Sequence, residues 1–192
     1  MKIYVAPAKG KSEKIYFEAW LQNYGFEFEI LDQTKGVAGP LLLCGGADLG
    51  KDPKRDCREY GWIRQAIEGH WPIIGVCRGM QILNQYFGGE VRDLEDLVVE
   101  AHSAQAAEDG DHAGRPSQYH IVEDLEGNTM QVNSRHHQFC PVIADNFKVT
   151  HRHGEIVEGI ADEQMQIWAV QWHPERMESE DNSYPLSKLF RK

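Results

Sequence analysis

The sequence is short of basic residues. Its 192 residues include 20 Lys and Arg against 30 Asp and Glu, for a formal net charge of −10. Because a negative surface repels polyanions, neither nucleic acid nor an anionic membrane is expected as a partner. Long hydrophobic runs are also lacking, since the longest, residues 39–43 and 72–77, are too short to cross a bilayer. Residues 1–7 lack the apolar stretch of a signal peptide, so a cytoplasmic location is the default expectation.

Paired cysteines are lacking as well. The four cysteines, Cys44, Cys57, Cys77 and Cys140, contain no Cys-x-x-Cys spacing. In a reducing compartment, this pattern argues against both a disulfide framework and a zinc cluster. We expect no metal ion and no cofactor.

Strand-like runs recur between helix-like segments; residues 26–31 alternate, whereas 41–43 and 71–76 are wholly apolar. The runs cover residues 2–6, 26–31, 41–43 and 71–76, and the helical patterns cover 12–24, 55–68 and 79–87. This alternation predicts an α/β fold with a doubly wound, mostly parallel, flavodoxin-like sheet and helices on both faces. In such sheets, ligands bind at the carboxyl ends of the strands. We expect a single catalytic domain over residues 1–192.

The second half of the chain is less regular. Residues 99–116 show no periodicity and form either a lid or a disordered segment. Strand-like runs follow at 120–122, 129–132, 147–151, 155–159 and 166–171, and residues 183–190 favour a last short helix.

Cys77 is the strongest candidate nucleophile. It lies where a buried run passes into a helix, with Gly75 and Gly79 on either side. A sharp strand-to-helix turn exposes its central side chain at the edge of the sheet, and flanking glycines relieve crowding. The positive end of the helix favours the nucleophilic thiolate. A buried structural cysteine is the other interpretation, and this motif alone does not decide between them.

Two further motifs complement this cysteine. His173 and Glu175 follow the last apolar run, where His173 can act as a general base and Glu175 can fix its tautomer. Gly45 and Gly46 follow another buried run, and backbone N–H groups there, with that of Arg78, would form an oxyanion hole. Most Gly-Gly pairs are merely turns, so the pair is weak evidence by itself.

Together the motifs resemble the class I glutamine amidotransferase-like superfamily and, in finer features, its γ-glutamyl hydrolase branch. The resemblance runs in order from about residue 41 to 175. The motifs that carry it are Gly45-Gly-x-Asp48, Arg55-Asp-x-x-Glu59, Cys77-Arg-Gly-x-Gln-x-x-Asn84, Gly88-Gly89, Val132-Asn-Ser-Arg-His-His-Gln138, Gly154-Glu-Ile-Val-Glu158 and Gln171-Trp-His-Pro-Glu175.

The resemblance implies a reaction on a small-molecule γ-glutamyl substrate. Cys77 would attack the γ-carbonyl, His173 would protonate the departing amine, and Glu175 would orient His173. Water would then hydrolyse the γ-glutamyl thioester. Gly46 and Arg78 would hold the oxyanion. The residues implied in the glutamyl pocket are Gly45, Gln81, Asn133, Ser134, Arg135 and His136.

Two other groups of residues have structural interpretations. Arg55, Asp56 and Glu59 favour an ion-pair network that supports the Cys77 turn, with direct catalysis as the alternative. The adjacent His136 and His137 would point to opposite faces of a strand, which disfavours a shared metal ion.

Three functions remain open. The first is a free-standing hydrolase that releases glutamate and an amine from a γ-glutamyl conjugate. The second is a glutaminase subunit that supplies ammonia to a separate synthetase. The third is a binding module on an inactive amidotransferase fold, which the intact set of Cys77, His173 and Glu175 disfavours. The Cys-Arg-Gly and Asn-Ser-x-His-His-Gln signatures favour the first function. The leaving amine and the oligomeric state, a homodimer included, stay open.

Overall fold

The computed structural model describes residues 1–7, 11–94, 118–177 and 180–190. The helices within these ranges are α1 (Lys11–Asn23), α2 (Pro53–Glu68) and α3 (Arg78–Tyr86). The strands are β1 (Lys2–Ala6), β2 (Glu27–Ile30), β3 (Leu41–Leu43), β4 (Ile73–Val76), β5 (Glu90–Asp93), β6 (Gln118–Asp124), β7 (Thr129–Ser134), β8 (Gln138–Val142), β9 (Lys148–His153), β10 (Ile156–Asp162) and β11 (Ile167–Val170).

The main sheet has nine strands in the order β2-β1-β3-β4-β11-β10-β9-β6-β7 within the described part of the chain. The first five strands in this order are parallel to one another. Parallel strands joined by helices put all of their carboxyl ends at one edge of the sheet, where binding sites form. Cys77 directly follows β4 at this edge.

Helices cover both faces of the parallel half. On one face, α1 contributes Phe17, Trp20 and Leu21 to an apolar cluster. On the other face, α2 contributes Ile63 and α3 contributes Met80 to a second cluster. Burial of one such side chain stabilises the fold by about 1.5–3 kcal/mol. The predicted α/β fold with helices on both faces is confirmed.

The antiparallel part of the fold extends the sheet beyond β11. Four antiparallel pairings join β11, β10, β9, β6 and β7 in turn. The strand-like runs predicted after residue 117 correspond to these strands. Strands β5 and β8, which pair in a separate two-stranded sheet, were not predicted. Their sequences lack the usual features of strands, because β5 carries three charged side chains and β8 contains Pro141.

Several element ends differ from the sequence prediction. Helix α2 begins at Pro53, because the Asp52 carboxylate accepts the Arg55 N–H at 3.1 Å and proline suits the first helical position. In place of one last helix, two short 3₁₀ helices cover Glu180–Ser183 and Leu186–Phe190. The predicted loop at 99–116 lies outside the described residues. Among the helices that are described, none is both long and apolar enough to span a membrane.

Candidate active site

Cys77 occupies a strained turn between β4 and α3. Its backbone adopts φ 54° and ψ −108°, a conformation that side-chain-bearing residues rarely adopt. Hydrogen bonds hold it there: its N–H donates to the carbonyl of Val170 at 2.7 Å, and its carbonyl accepts from the N–H of Met80 at 2.9 Å. The strand-to-helix turn predicted from the sequence is therefore present, and the thiol lies at the carboxyl edge of the sheet.

The glycines beside Cys77 allow the helix to approach the sheet closely. A Cβ on Gly75 would lie 2.8 Å from the backbone carbonyl of Gly79. A Cβ on Gly79 would lie only 2.2 Å from the carbonyl oxygen of Leu43. Since real Cβ atoms do not approach backbone this closely, both positions require glycine for packing.

His173 lies between Cys77 and Glu175. Its Nδ1 is 2.7 Å from Oε1 of Glu175, and His173 and Cys77 line the same cleft. Burial by itself lowers the pKa of His173, but the charges of Glu175 and Cys77 outweigh it and raise that pKa to about 10. A histidine with this pKa carries a proton at neutral pH, so the cleft that His173 shares with Cys77 holds a positive charge.

The chain after β11 sets the His173–Glu175 geometry. Pro174 opens a 3₁₀ turn, Pro174–Arg176, that brings the carboxylate back toward the imidazole two residues earlier. His173 and Glu175 are 5% and 8% exposed, so the contact is shielded from water. Shielding strengthens the electrostatic interaction between the two groups.

Asn133 fixes the backbone of His173 from β7. Its Nδ2 donates to the His173 carbonyl at 2.8 Å, and its Oδ1 accepts the His173 N–H at 2.8 Å. We predicted Asn133 in the glutamyl pocket, and the structure shows its amide engaged with His173. The Asn-Ser-Arg-His-His-Gln motif identified this residue, but nothing in the sequence indicated this contact.

The Gly45–Gly46 loop after β3 packs against the imidazole. A Cβ on Gly45 would lie 2.9 Å from Cε1 of His173, so any larger residue at this position would clash with the ring. The Gly45 carbonyl accepts a hydrogen bond from Arg55 Nη2 at 3.0 Å. Gly46 has a φ of 136°, which favours glycine, and it lines the same cleft as Cys77.

A buried ion-pair network supports this loop and the Cys77 turn. Arg55 Nε donates to Oε1 of Glu59 at 2.7 Å. The guanidinium of Arg78 pairs with both Glu59 and Asp56. Because Arg78 follows Cys77 and Arg55 holds the carbonyl of Gly45, the network connects the two loops. The predicted ion pairs are present.

Cys77 lies on the wall of a cleft. Among the predicted binding residues, Gln81, Arg135 and His136 line it, whereas Ser134 is fully buried at the end of β7. Gly45 contacts the His173 ring, as described above. The full lining set is Gly46, Asp48, Cys77, Gln81, Arg135, His136, His137, Gln138 and His173.

Comparison with known proteins assigns the family. A model of the family described as peptidase C26 matches residues 46–175, which is more than half of the chain. The chain belongs to the peptidase C26 family. The match supports the class I glutamine amidotransferase-like assignment, while the γ-glutamyl hydrolase branch stays a prediction.

Individual relatives agree with this assignment. The glutamine amidotransferase-like protein YvdE of Lactococcus lactis subsp. lactis is 34% identical over 181 residues, covering 80% of this chain and 76% of the relative. The carbamoyl phosphate synthase small chain of Aquifex aeolicus is 30% identical over 144 residues, covering 72% of this chain and 34% of the relative. A glutamine amidotransferase from Thermotoga maritima shares the fold, with a TM-score of 0.69 at 14% identity, covering 91% of this chain and 76% of that structure.

This peptidase C26 chain also holds a buried carboxylate behind the cleft. Glu158 Oε1 lies 3.4 Å from Nε2 of His136 and 3.4 Å from Nε2 of His120. Burial raises the pKa of Glu158, but the two histidines outweigh it and lower that pKa to about 2. The sequence places Glu158 in the Gly-Glu-Ile-Val-Glu motif but predicts no role for it. Its contact with His136 connects it to the cleft wall.

The adjacent histidines contact different acids. His136 faces Glu158, whereas Nε2 of His137 lies 3.2 Å from Oδ1 of Asp48. Across the residues that the structure describes, no group of three or more His, Cys, Asp or Glu side chains is arranged to hold a metal ion.

Proposed function

We propose that the protein hydrolyses the γ-glutamyl amide bond of a small conjugate, with Cys77 as nucleophile. The observation that carries this proposal is that His173 lies 2.7 Å from Glu175 and lines the same cleft as Cys77. In the first step, the Cys77 thiolate forms a bond to the γ-carbonyl carbon. The amide C–N bond breaks as His173 gives its proton to the departing amine.

The second step regenerates the enzyme. His173, now neutral, takes a proton from water as the water attacks the thioester carbonyl. Glutamate leaves and the Cys77 thiolate is restored beside a protonated His173. Throughout both steps, Glu175 accepts the Nδ1–H hydrogen bond and stabilises the imidazolium.

Two backbone N–H groups are available for the oxyanion. Arg78 is the first residue of α3, and Gly46 lies on the cleft wall. Among the described residues, neither N–H has a hydrogen-bond acceptor. Such groups at a helix start and a glycine loop can stabilise a tetrahedral intermediate. We assign Gly46 and Arg78 as its donors.

The cleft suits the glutamyl half of the substrate. Its wall carries the positive Arg135 beside His136. These groups favour binding of the glutamyl α-carboxylate. The Gln81 oxygen is available as an acceptor, because both hydrogens of its Nε2 are donated within the protein.

A second candidate is a glutaminase subunit that supplies ammonia to a separate synthetase. Similarity to the carbamoyl phosphate synthase small chain of Aquifex aeolicus favours it. The chemistry at Cys77 would be the same, with glutamine as substrate and ammonia as the leaving group. The two functions differ in whether a partner protein is needed.

The experiment is a screen of γ-glutamyl amides for glutamate release by the purified chain, with glutamine as the comparison. We expect release without any partner and complete loss of release in the Cys77→Ala variant. Cleavage of glutamine alone, and only after a synthetase is added, would favour the second candidate. Release that persists in Cys77→Ala would contradict both.

A further inference from the structure

We propose that Gln171 stabilises the Cys77 thiolate by donating a hydrogen bond from its side-chain amide to the sulfur. Its Nε2 lies 3.6 Å from Sγ of Cys77, within the range of hydrogen bonds to sulfur. The inference rests on the proposed function in one respect, because it takes Cys77 to react as a thiolate. It adds a neutral donor that faces the reacting sulfur together with His173.

The neighbouring hydrogen bonds decide which end of the Gln171 amide faces the sulfur. The backbone carbonyl of Gln138 can only accept, so the Gln81 amide atom 3.1 Å from it must be nitrogen. The other hydrogen of this nitrogen is directed to the Gln171 amide at 3.2 Å, which requires the Gln171 oxygen there. The Gln171 nitrogen must therefore face Cys77. The Gln138 carbonyl at one end of this series of hydrogen bonds thus requires an N–H donor at the other end, beside Cys77.

The position of Gln171 keeps this donor in place. The residue is fully buried, and its backbone N–H donates to the Glu158 carbonyl at 2.8 Å. It lies one residue after β11 and two residues before His173, which lines the same cleft as Cys77. A buried amide that donates to an anion makes a stronger hydrogen bond than one that donates to a neutral group.

Gln171 and His173 would stabilise the thiolate in different ways. His173 supplies a positive charge and loses it when it deprotonates. The Gln171 amide has no titratable group, so its contribution to the thiolate is the same at every pH. A plot of Cys77 reactivity against pH should rise at low pH as the thiolate forms and change again at higher pH as His173 deprotonates. Removing the Gln171 donor should shift the first change and leave the second unchanged.

The test is the pH dependence of iodoacetamide alkylation at Cys77 in the full-length chain, followed by peptide mass spectrometry. Methionine is close to glutamine in size and has no N–H donor, so Gln171→Met removes the hydrogen bond to the sulfur with little change in volume. It also removes the oxygen that accepts from Gln81 Nε2. We expect the low-pH midpoint to rise by about one pH unit and the rate below it to fall about tenfold. Cys57 is exposed and serves as the reference thiol within each sample.

A matched control is Gln65→Met. Gln65 is a partly buried glutamine whose Oε1 accepts the Val37 N–H at 2.9 Å. It lies near the end of α2, which leads into the start of β4, whereas Cys77 follows the end of β4. It should leave the Cys77 profile unchanged. If Gln171→Met gives the wild-type profile, or a shift no larger than that of Gln65→Met, the inference is wrong.

A second measurement uses the unmodified protein, in case Gln171→Met does not fold. The side-chain amide resonances of Gln171 should titrate with the same midpoint as Cys77 alkylation, and resonances that stay constant would overturn the inference. Neither experiment needs substrate. A wild-type protein that releases no glutamate would refute the proposed function only, whereas an unshifted Gln171→Met profile in an active enzyme would refute this inference only.

Discussion

Gly45→Ala tests whether the position of the His173 ring controls the reaction. The added Cβ would lie 2.9 Å from Cε1 of His173 and 3.6 Å from Cβ of Cys77. Carbon atoms in contact prefer about 3.5–4.0 Å, so the ring or the loop must retreat by roughly 0.6–1 Å. Neither moves easily, because Glu175 holds the ring at 2.7 Å and Arg55 holds the Gly45 carbonyl at 3.0 Å.

We expect Gly45→Ala to slow the chemical step more than it destabilises the fold. A misplacement of about 1 Å in a reacting group lowers the rate on the order of 10²-fold, which corresponds to about 2.7 kcal/mol in the activation free energy. We therefore expect kcat/KM for glutamate release to fall about 100-fold in Gly45→Ala. The overpacking itself should lower the free energy of unfolding by only about 1–3 kcal/mol.

The assay is steady-state glutamate release on the γ-glutamyl amide with the highest wild-type turnover, alongside thermal unfolding followed by circular dichroism. Gly61→Ala is the control, since Gly61 lies in α2 and an added Cβ there contacts nothing within 4 Å. It should leave kcat/KM unchanged and stabilise the protein by about 0.5–1 kcal/mol. A folded Gly45→Ala variant with wild-type kcat/KM would refute the reasoning.

The remaining predictions concern other parts of the site. Asn133→Ala removes two hydrogen bonds from the His173 backbone, so kcat should fall on the order of tenfold with little change in KM; an effect on KM alone would point to substrate binding instead. Glu59→Gln leaves the buried guanidinium groups of Arg55 and Arg78 without their shared carboxylate, so the free energy of unfolding in urea should fall by about 3–5 kcal/mol. An unchanged midpoint of urea unfolding would contradict a structural role for Glu59. Burial raises the pKa of Cys140 to about 12, so iodoacetamide at about pH 7 should modify Cys77 and spare Cys140; peptide masses showing modified Cys140 in the folded protein would contradict this.

Local patterns made the parallel half of the fold and the core of the site predictable. Cys77 and His173 each follow a short, wholly apolar strand, and such strands end at one edge of a parallel sheet. Glu175 is two residues from His173, so their contact depends on a single turn. Residues placed by one strand end or one turn can be located from sequence.

Contacts between distant segments were not predictable in the same way. Asn133 reaches His173 across 40 positions, and either end of an amide can bind substrate or backbone equally well. Glu158 on β10 contacts His120 on β6 and His136 in the loop between β7 and β8, and both are distant from it in the sequence. Strand β5 lacks an apolar face, so its sequence does not predict its pairing with β8. These features depend on tertiary packing, which overrides local propensity.

The central claim is that Cys77 carries the γ-glutamyl group between the two steps. Mass spectrometry of the intact protein, quenched in acid during turnover of a γ-glutamyl amide, tests it most directly. We expect a covalent adduct with the mass of one γ-glutamyl group on Cys77, which hydroxylamine removes and which Cys77→Ala does not form. Steady turnover with no adduct on Cys77, even when hydrolysis is slowed at low pH, or an adduct on another residue, would rule out Cys77 as the nucleophile.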